Sequence, residues 1–137
     1  MLTDDQCSNI FGSEISPDEM KLLIKDFKNV FRKQFVRKDI STHGPIYHNF
    51  KGSVNWIGLD EINKLDSYKC YVYVERRKNS KLYISSILNF KEYLLSRTDG
   101  IYPGIYIFDK DMTECICDNG ENGSLRPILL MRVRSLK

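Results

Sequence analysis

The chain has 137 residues, 42% of them hydrophobic and 28% charged, and its formal net charge is +3. This composition is close to that of ordinary globular proteins and excludes a disordered, fibrous or collagen-like chain. A chain of this length buries about two-thirds of the surface that it exposes when unfolded, so we expect one domain with its own core over residues 1–137.

The N-terminal segment carries acidic residues where a secretory signal carries positive ones, in the sequence MLTDDQCSNIFG. No apolar run in the chain approaches the roughly 18 residues that a membrane span needs. These features predict a cytoplasmic protein that does not associate with a membrane, and in that compartment the four cysteines stay reduced. We expect residues 1–13 to form a loosely ordered arm.

The first clear element is an amphipathic helix in the sequence SPDEMKLLIKDFKNVFRKQF. Ser16 suits the N-cap, Pro17 the first helical position, and Glu19 completes a capping box. The apolar positions of this helix are predicted to form one wall of the core. A basic ridge recurs at helical spacing on another face and comprises Lys21, Lys25, Lys28 and Arg32. The basic ridge is either a solvated helix face or a docking edge for an acidic or phosphate-bearing partner.

Short strands follow from about residue 45. A hairpin is predicted for PIYHNF and SVNWIG, and the clearest strand alternation is that of SYKCYVYVERR. A second helix is predicted for SSILNFKEYLLSR, and a three-stranded meander for IYIFD, TECICD and LRPILLMRVRS. The predicted fold class is therefore α+β, with a mainly antiparallel sheet and two main helices packed on one of its faces.

The sequence contains no recognisable catalytic set. The only histidines are His43 and His48, and the phosphate-binding, nucleophile-elbow, zinc-protease and dinucleotide motifs do not occur. Cys115 and Cys117 lie two residues apart on a predicted strand, whereas metal sites usually combine a C-x₂-C loop with a second ligand pair. We therefore expect these cysteines to be small apolar core residues. We predict that the protein is not an enzyme and has no catalytic, cofactor-binding or metal-binding residues.

Tyrosine is abundant, with eight residues in the chain. Tyr71 and Tyr73 project from the same side of the predicted central strand, and tyrosine suits interfaces because it buries apolar area and keeps a polar tip. With the basic ridge, these rings would also permit base stacking and phosphate contacts. A small RNA- or single-stranded nucleic-acid-binding module is therefore the alternative to a protein-binding function.

A late segment combines a helix, a glycine-rich turn and a hairpin in the sequence FKEYLLSRTDGIYPGIYIFDKDMTECICDNG. In this respect the chain resembles, mainly over residues 86–118, the small cytosolic immunity proteins encoded beside bacterial contact-dependent-inhibition and other polymorphic toxins. The resemblance implies an inhibitor that binds a cognate toxin domain, often a nuclease, in a stoichiometric complex. Such families share no active-site motif, so no functional residue carries over. The chain departs from the acidic balance common among inhibitors of basic nucleases, since its net charge is +3.

The turns of the late hairpin supply the first candidate for a partner-binding surface. The predicted contacts are the acids Asp109, Asp111, Glu114 and Glu121 and the aromatic anchors Tyr102 and Tyr106. The alternative is that these acids only serve the turns in which they lie. If they are free turn charges, changing Asp109 and Asp111 to lysine should weaken a complex and leave the thermal midpoint nearly unchanged. The basic ridge is the second candidate surface.

Overall fold

The computed structural model describes residues 3–31, 35–36, 49–50, 54–58, 70–76, 78–96, 104–118 and 129–134. The helices in these ranges are α1 (Asp4–Phe11), α2 (Pro17–Val30) and α3 (Ile87–Ser96). The strands are β1 (Ser13–Glu14), β2 (Phe35–Val36), β3 (Asn49–Phe50), β4 (Val54–Gly58), β5 (Cys70–Glu75), β6 (Lys81–Ser85), β7 (Gly104–Asp109), β8 (Glu114–Asp118) and β9 (Leu129–Arg134). No helix in the described part of the chain has both the length and the apolar character needed to cross a bilayer.

Seven of the described strands form one sheet in the order β1-β6-β5-β7-β8-β9-β4, and every neighbouring pair is antiparallel. The remaining two, β2 and β3, pair with each other. The predicted meander is present as β7, β8 and β9, and the predicted central strand is present as β5. The α+β class with a mainly antiparallel sheet is confirmed.

The predicted hairpin between PIYHNF and SVNWIG is wrong in its pairing. Asn49 and Phe50 of β3 lie opposite Val36 and Phe35 of β2, whereas β4 pairs along all five of its residues with β9. The longer ladder satisfies more backbone donors and acceptors than the two-residue strand β3 offers. Strand β9, which is distant in sequence, therefore pairs with β4 in place of the neighbouring strand β3.

The prediction that the helices share one face of the sheet is also wrong, because both faces are covered. The α3-side core comprises Cys7, Phe11, Cys70, Val72, Val74, Tyr83, Ile87, Phe90, Tyr93, Leu94, Ile105, Ile107 and Ile116. The α2-side core comprises Ile15, Ile24, Phe27, Phe31, Tyr73, Leu82, Tyr106, Phe108, Met112, Cys115, Cys117 and Val133. Side chains alternate across a strand, and in β5 both Val72 and Tyr73 are apolar and buried. Each face of the sheet therefore needs its own helical layer.

Phe27 is at the centre of the α2-side core. Its ring lies parallel to that of Phe108, with centroids 5.0 Å apart and an interplanar angle of 8°. It meets Tyr73 and Tyr106 edge-on, with centroids 5.4 and 5.0 Å away. These contacts attach α2 to β5 and β7. Helix α2 begins at the predicted residue, since the Ser16 hydroxyl accepts from the backbone nitrogen of Glu19. The Glu19 side chain makes no return hydrogen bond to Ser16, so the predicted capping box is only half formed.

Helices α1 and α3 pack together in the α3-side core. The rings of Phe11 and Tyr93 have centroids 5.3 Å apart, and the side-chain amide of Asn89 donates to the carbonyl of Phe11 at 3.1 Å. The hydroxyl of Tyr93 donates to the carboxylate of Asp118 at 2.9 Å. Asp118 is fully buried, so this hydrogen bond helps to satisfy a polar group that has left water.

The prediction of a loose arm at residues 1–13 is wrong, because Asp4–Phe11 form the helix α1. Thr3 and Gln6 form a reciprocal capping box, with backbone-to-side-chain distances of 2.9 and 3.2 Å. Cys7 and Phe11, one turn apart on the helix, are fully buried. Gly12 ends the helix at φ = 128°, where a Cβ would collide with the carbonyl oxygen of Ile84. The absence of a side chain at Gly12 lets the chain turn directly from α1 into the pairing of β1 with β6.

Phe27→Ala should lower the free energy of unfolding by about 3–5 kcal/mol, because it removes a fully buried ring and leaves a cavity among four other rings. The matched control is Leu22→Ala on the same helix, where the side chain is 71% exposed and the expected change is below about 0.5 kcal/mol. Urea unfolding followed by circular dichroism measures both. Equal losses for the two variants would contradict the placement of α2 on the sheet.

Candidate functional site

The acidic turn, residues 109–114 between β7 and β8, uses Asp109 for its own construction. The carboxylate of Asp109 accepts hydrogen bonds from the backbone nitrogens of Thr113 at 2.8 Å and Glu114 at 3.0 Å, and from the Thr113 hydroxyl. Met112 has φ = 57°, and its side chain is 8% exposed in the α2-side core. The short Asp109 side chain thus stabilises a turn that brings Met112 inward.

The other described acids of this turn differ from each other. Glu114 forms an ion pair with Arg132, with 3.3 Å between Oε1 and Nε, and each side chain is 14% exposed. Asp111 is exposed. Among the predicted acidic contacts in the described ranges, Asp111 is therefore the one that presents an exposed side chain to a partner.

The prediction that Tyr106 is an aromatic anchor is wrong. Tyr106 is fully buried beneath α2, and its hydroxyl donates to Glu75 Oε1 at 3.3 Å. It shares a face of β7 with Phe108, and the α2-side core needs that face. The other predicted site residues Tyr102, Glu121 and Arg32, like the two histidines, lie outside the described residues.

The pair of tyrosines proposed for base stacking belongs to the same core. Tyr73 is 4% exposed, and Tyr71 is half-buried with its ring centroid 5.6 Å from that of Phe108. Their common orientation on β5 is as predicted. At Tyr73 this surface is covered by α2, whose Phe27 ring centroid lies 5.4 Å from that of Tyr73. Burial of these rings stabilises the fold because apolar surface leaves water.

The basic ridge borders a concave surface, here called the lysine cleft. Lys21, Lys25 and Lys28 are exposed along one flank of α2 and line a cleft of about 620 Å³. Lys81 adds a fourth ammonium group from β6, on the wall opposite the helix. The cleft lies between α2 and the hairpin of β5 and β6, next to the short edge strand β1.

The base of the lysine cleft is apolar. Its buried members are Ile15, Ile24 and Tyr73, which also belong to the α2-side core, and Met20 and Pro17 extend the apolar lining. Asn79 and Ser80 contribute polar groups near Lys81. The base is as rigid as the core that forms it, whereas the exposed lysines can adjust to a ligand.

One lysine of the cleft already holds a carboxylate. Lys81 Nζ lies 2.8 Å from Glu14 Oε1, and this hydrogen bond, with the negative charge of Glu14, raises the pKa of Lys81. Within the described part of the chain, Lys21, Lys25 and Lys28 form no ion pair. In its described lining, the cleft therefore contains one ammonium–carboxylate pair and three exposed ammonium groups on its helix wall.

The spacing of the three helix lysines places like charges side by side. Lys21 and Lys25 are four residues apart and Lys25 and Lys28 three apart, so they are neighbours on the helix surface. Each such pair destabilises an isolated helix by about 0.2–0.5 kcal/mol. An anion bound in the cleft would offset the repulsion between these ammonium groups. This arrangement can bind a negatively charged ligand that also has an apolar part.

A second polar cluster lies where α1 meets the end of β5. Arg76 Nη1 is 2.6 Å from Asp4 Oδ1, and Nη2 is 3.7 Å from Cys7 Sγ. The hydrogen bond from Arg76 lowers the pKa of Asp4, while burial raises the pKa of the Cys7 thiol. This cluster attaches the N-terminal helix to the sheet, so Arg76 is engaged within the molecule.

The four cysteines are free thiols and are buried. Cys115 and Cys117 lie in the α2-side core, as the prediction of small core residues requires, and burial raises the pKa of Cys115 well above its usual value. The described residues contain no group of three or more His, Cys, Asp and Glu side chains that could hold a metal ion.

Comparisons with known proteins add no relative to this geometry. No protein-family model matches the chain, and the searches of curated proteins and of solved structures found no match either.

The two aspartates of the acidic turn should differ in their effect on folding. Asp109→Ala removes an acceptor of three hydrogen bonds and should lower the free energy of unfolding by about 1–2 kcal/mol. Asp111→Ala, at an exposed position, should change it by less than about 0.5 kcal/mol. The premise that both are free turn charges is thus wrong for Asp109. Thermal unfolding of the two single variants measures the difference, and equal midpoints would show that Asp109 does not stabilise the turn.

The four thiols should resist modification in the folded protein because they are buried. For Cys7 and Cys115, burial also raises the pKa, so the reactive thiolate is scarce. The reagent is an aromatic disulfide that releases a coloured thiolate when it reacts with a thiol. At pH 8, we expect slow reaction in buffer and rapid reaction of four thiols in concentrated guanidinium. Rapid stoichiometric labelling of any cysteine in the native protein would contradict the burial described.

Proposed function

We propose that this chain is an immunity-type binding protein that neutralises a cognate toxin domain in the cytoplasm by forming a stoichiometric complex. The observation that carries the proposal is the lysine cleft, a concave surface with an apolar base and three exposed, unpaired helix lysines in the described part of the chain. The resemblance to immunity proteins, read from residues 86–118, supplies the class of partner.

The lysine cleft suits this role better than the acidic turn. The carboxylates of Asp109 and Glu114 are engaged within the molecule, and Tyr106 is buried. A partner at the acidic turn would have to replace those contacts. At the cleft, the charges of Lys21, Lys25 and Lys28 are accessible without any rearrangement of the fold.

A preformed and charged surface matches what an inhibitor needs. Binding to a rigid base costs less conformational entropy than ordering a loop, so more of the interaction energy appears as affinity. Clustered lysines also steer an acidic partner toward the cleft and increase the association rate. The net charge of +3, unusual for an inhibitor of a basic nuclease, is suited to a toxin surface that is acidic.

The structure weakens the case for a nucleic-acid-binding module. Stacking requires accessible rings, and Tyr73 is 4% exposed beneath Phe27. Among the described residues, the cations that line the cleft are lysines, which bind anions as point charges and lack the planar fork that arginine offers to bases and phosphates. A protein surface is therefore the favoured partner.

The test is to look for a toxin gene immediately upstream and to co-express its toxin domain with this chain; the absence of such a gene would contradict the proposal. We expect rescue of growth and a one-to-one complex that survives gel filtration. Lys21→Glu/Lys25→Glu should abolish rescue and weaken the complex by more than about 1.4 kcal/mol, a tenfold loss. The matched control Lys78→Glu/Lys110→Glu makes the same charge change at exposed positions outside the cleft and should retain rescue.

Failure of the wild-type chain to rescue growth and to form a complex would overturn the proposed function. Equal loss of rescue in both double variants would contradict the assignment of the cleft as the contact surface.

A further inference from the structure

We infer that the lysine cleft accepts an acidic segment of the partner protein that carries one apolar side chain, and that Glu14 competes with this segment for Lys81. The inference rests on the proposed function, because it names the part of the partner that the cleft holds. Four features support it: the size of the cleft, its charge pattern, the ion pair already present in it and its apolar base.

The size of the cleft fits a short segment of chain. A volume of about 620 Å³ lies within the range of about 300–1,000 Å³ typical of ligand sites. Lys21 and Lys28 are separated by about 10 Å along the helix axis, at a rise of about 1.5 Å per residue. An extended chain advances by about 3.3 Å per residue, so a run of three or four residues matches that distance.

The charge of the cleft selects an acidic occupant. Among the described lining residues, four are lysines and Glu14 is the one acid. The pair between Lys81 and Glu14, at 2.8 Å, places a carboxylate within the cleft and gives the geometry that a ligand carboxylate would copy. Both side chains are partly exposed, at 28% and 42%, so an incoming carboxylate can reach and replace Glu14.

The apolar base distinguishes a peptide from a phosphate-bearing ligand. Ile15, Ile24 and Met20 offer no hydrogen bonds to phosphate, but they can cover an aliphatic side chain. A ligand that used only the lysines would bind through charge alone. An acidic peptide with one leucine uses the rim and the base of the cleft together.

The test is fluorescence polarisation with an eight-residue labelled peptide of glutamates around one central leucine. Replacing that leucine by serine should weaken binding at least about fivefold, because the apolar contact is lost. Two further probes of equal length are a lysine peptide with the same leucine, for which we expect no binding, and an oligouridine RNA, which should bind more weakly than the acidic peptide.

Matched protein variants locate the site. Lys25→Gln/Lys28→Gln should weaken binding of the acidic peptide about tenfold or more, whereas Lys78→Gln/Lys110→Gln, which removes two exposed lysines outside the cleft, should change it less than about twofold. Glu14→Gln frees Lys81 and should strengthen binding about two- to fivefold. Its control is Glu92→Gln, at an exposed position on α3, which packs on the other face of the sheet.

The inference is overturned if the acidic peptide does not bind, if oligouridine binds more tightly, or if the two lysine pairs weaken binding equally. It is also overturned if Glu14→Gln and Glu92→Gln have the same effect.

These outcomes are separable from failure of the proposed function. A toxin complex that forms without any peptide binding to the cleft overturns the inference alone. Peptide binding by a chain that rescues no toxin-expressing cell overturns the proposed function alone.

Discussion

The ring of Phe27 lies flat against Phe108 and edge-on to Tyr73 and Tyr106, and the position of α2 depends on this contact. Because Phe27 points into the sheet, helical geometry places Lys28 on the flank beside it, with Lys25 and Lys21 in the preceding turns. The aromatic contact thus directs the charges of Lys21, Lys25 and Lys28 to the helix wall of the cleft, opposite Lys81. The buried faces of Ile24 and Tyr73 continue into the apolar base, so the core and the candidate site share side chains.

The polar groups of the molecule divide into those engaged by the fold and those left accessible. Asp109 is held by the backbone of its own turn, Glu114 by Arg132 of the neighbouring strand and Arg76 by Asp4 of α1. The lysines of α2 have no such partner in the described ranges. The repulsion between neighbouring lysines destabilises an isolated helix by a few tenths of a kcal/mol. Burial of the aromatic rings of α2 and the sheet stabilises the fold by more than this. The acidic turn therefore uses its charged groups to hold the fold, whereas the lysine cleft leaves its helix lysines accessible to a partner.

Local signals with a clear physical basis predicted their elements well, and one such signal was overlooked. Ser16 and Pro17 marked the start of α2, and the alternation around Val72 marked β5. The sequence Thr3-Asp4-Asp5-Gln6 carries an equally good capping box ahead of Cys7 and Phe11, and it predicts α1 once it is noticed. The expectation of a loose arm did not take account of Cys7 and Phe11, which lie on one face of this helix.

The sequence by itself determined the α+β class, the principal helices and strands, the basic ridge and the burial of small cysteines, because these depend on side-chain periodicity and local capping. Only the tertiary structure decided that β4 pairs with β9, that helices cover both faces of the sheet, and that Tyr106 is buried while Lys81 joins the helix lysines. Those outcomes depend on which distant segments bury the most apolar surface together. The side chains of one strand already show that both faces need cover, but which helix covers each face depends on the path of the whole chain.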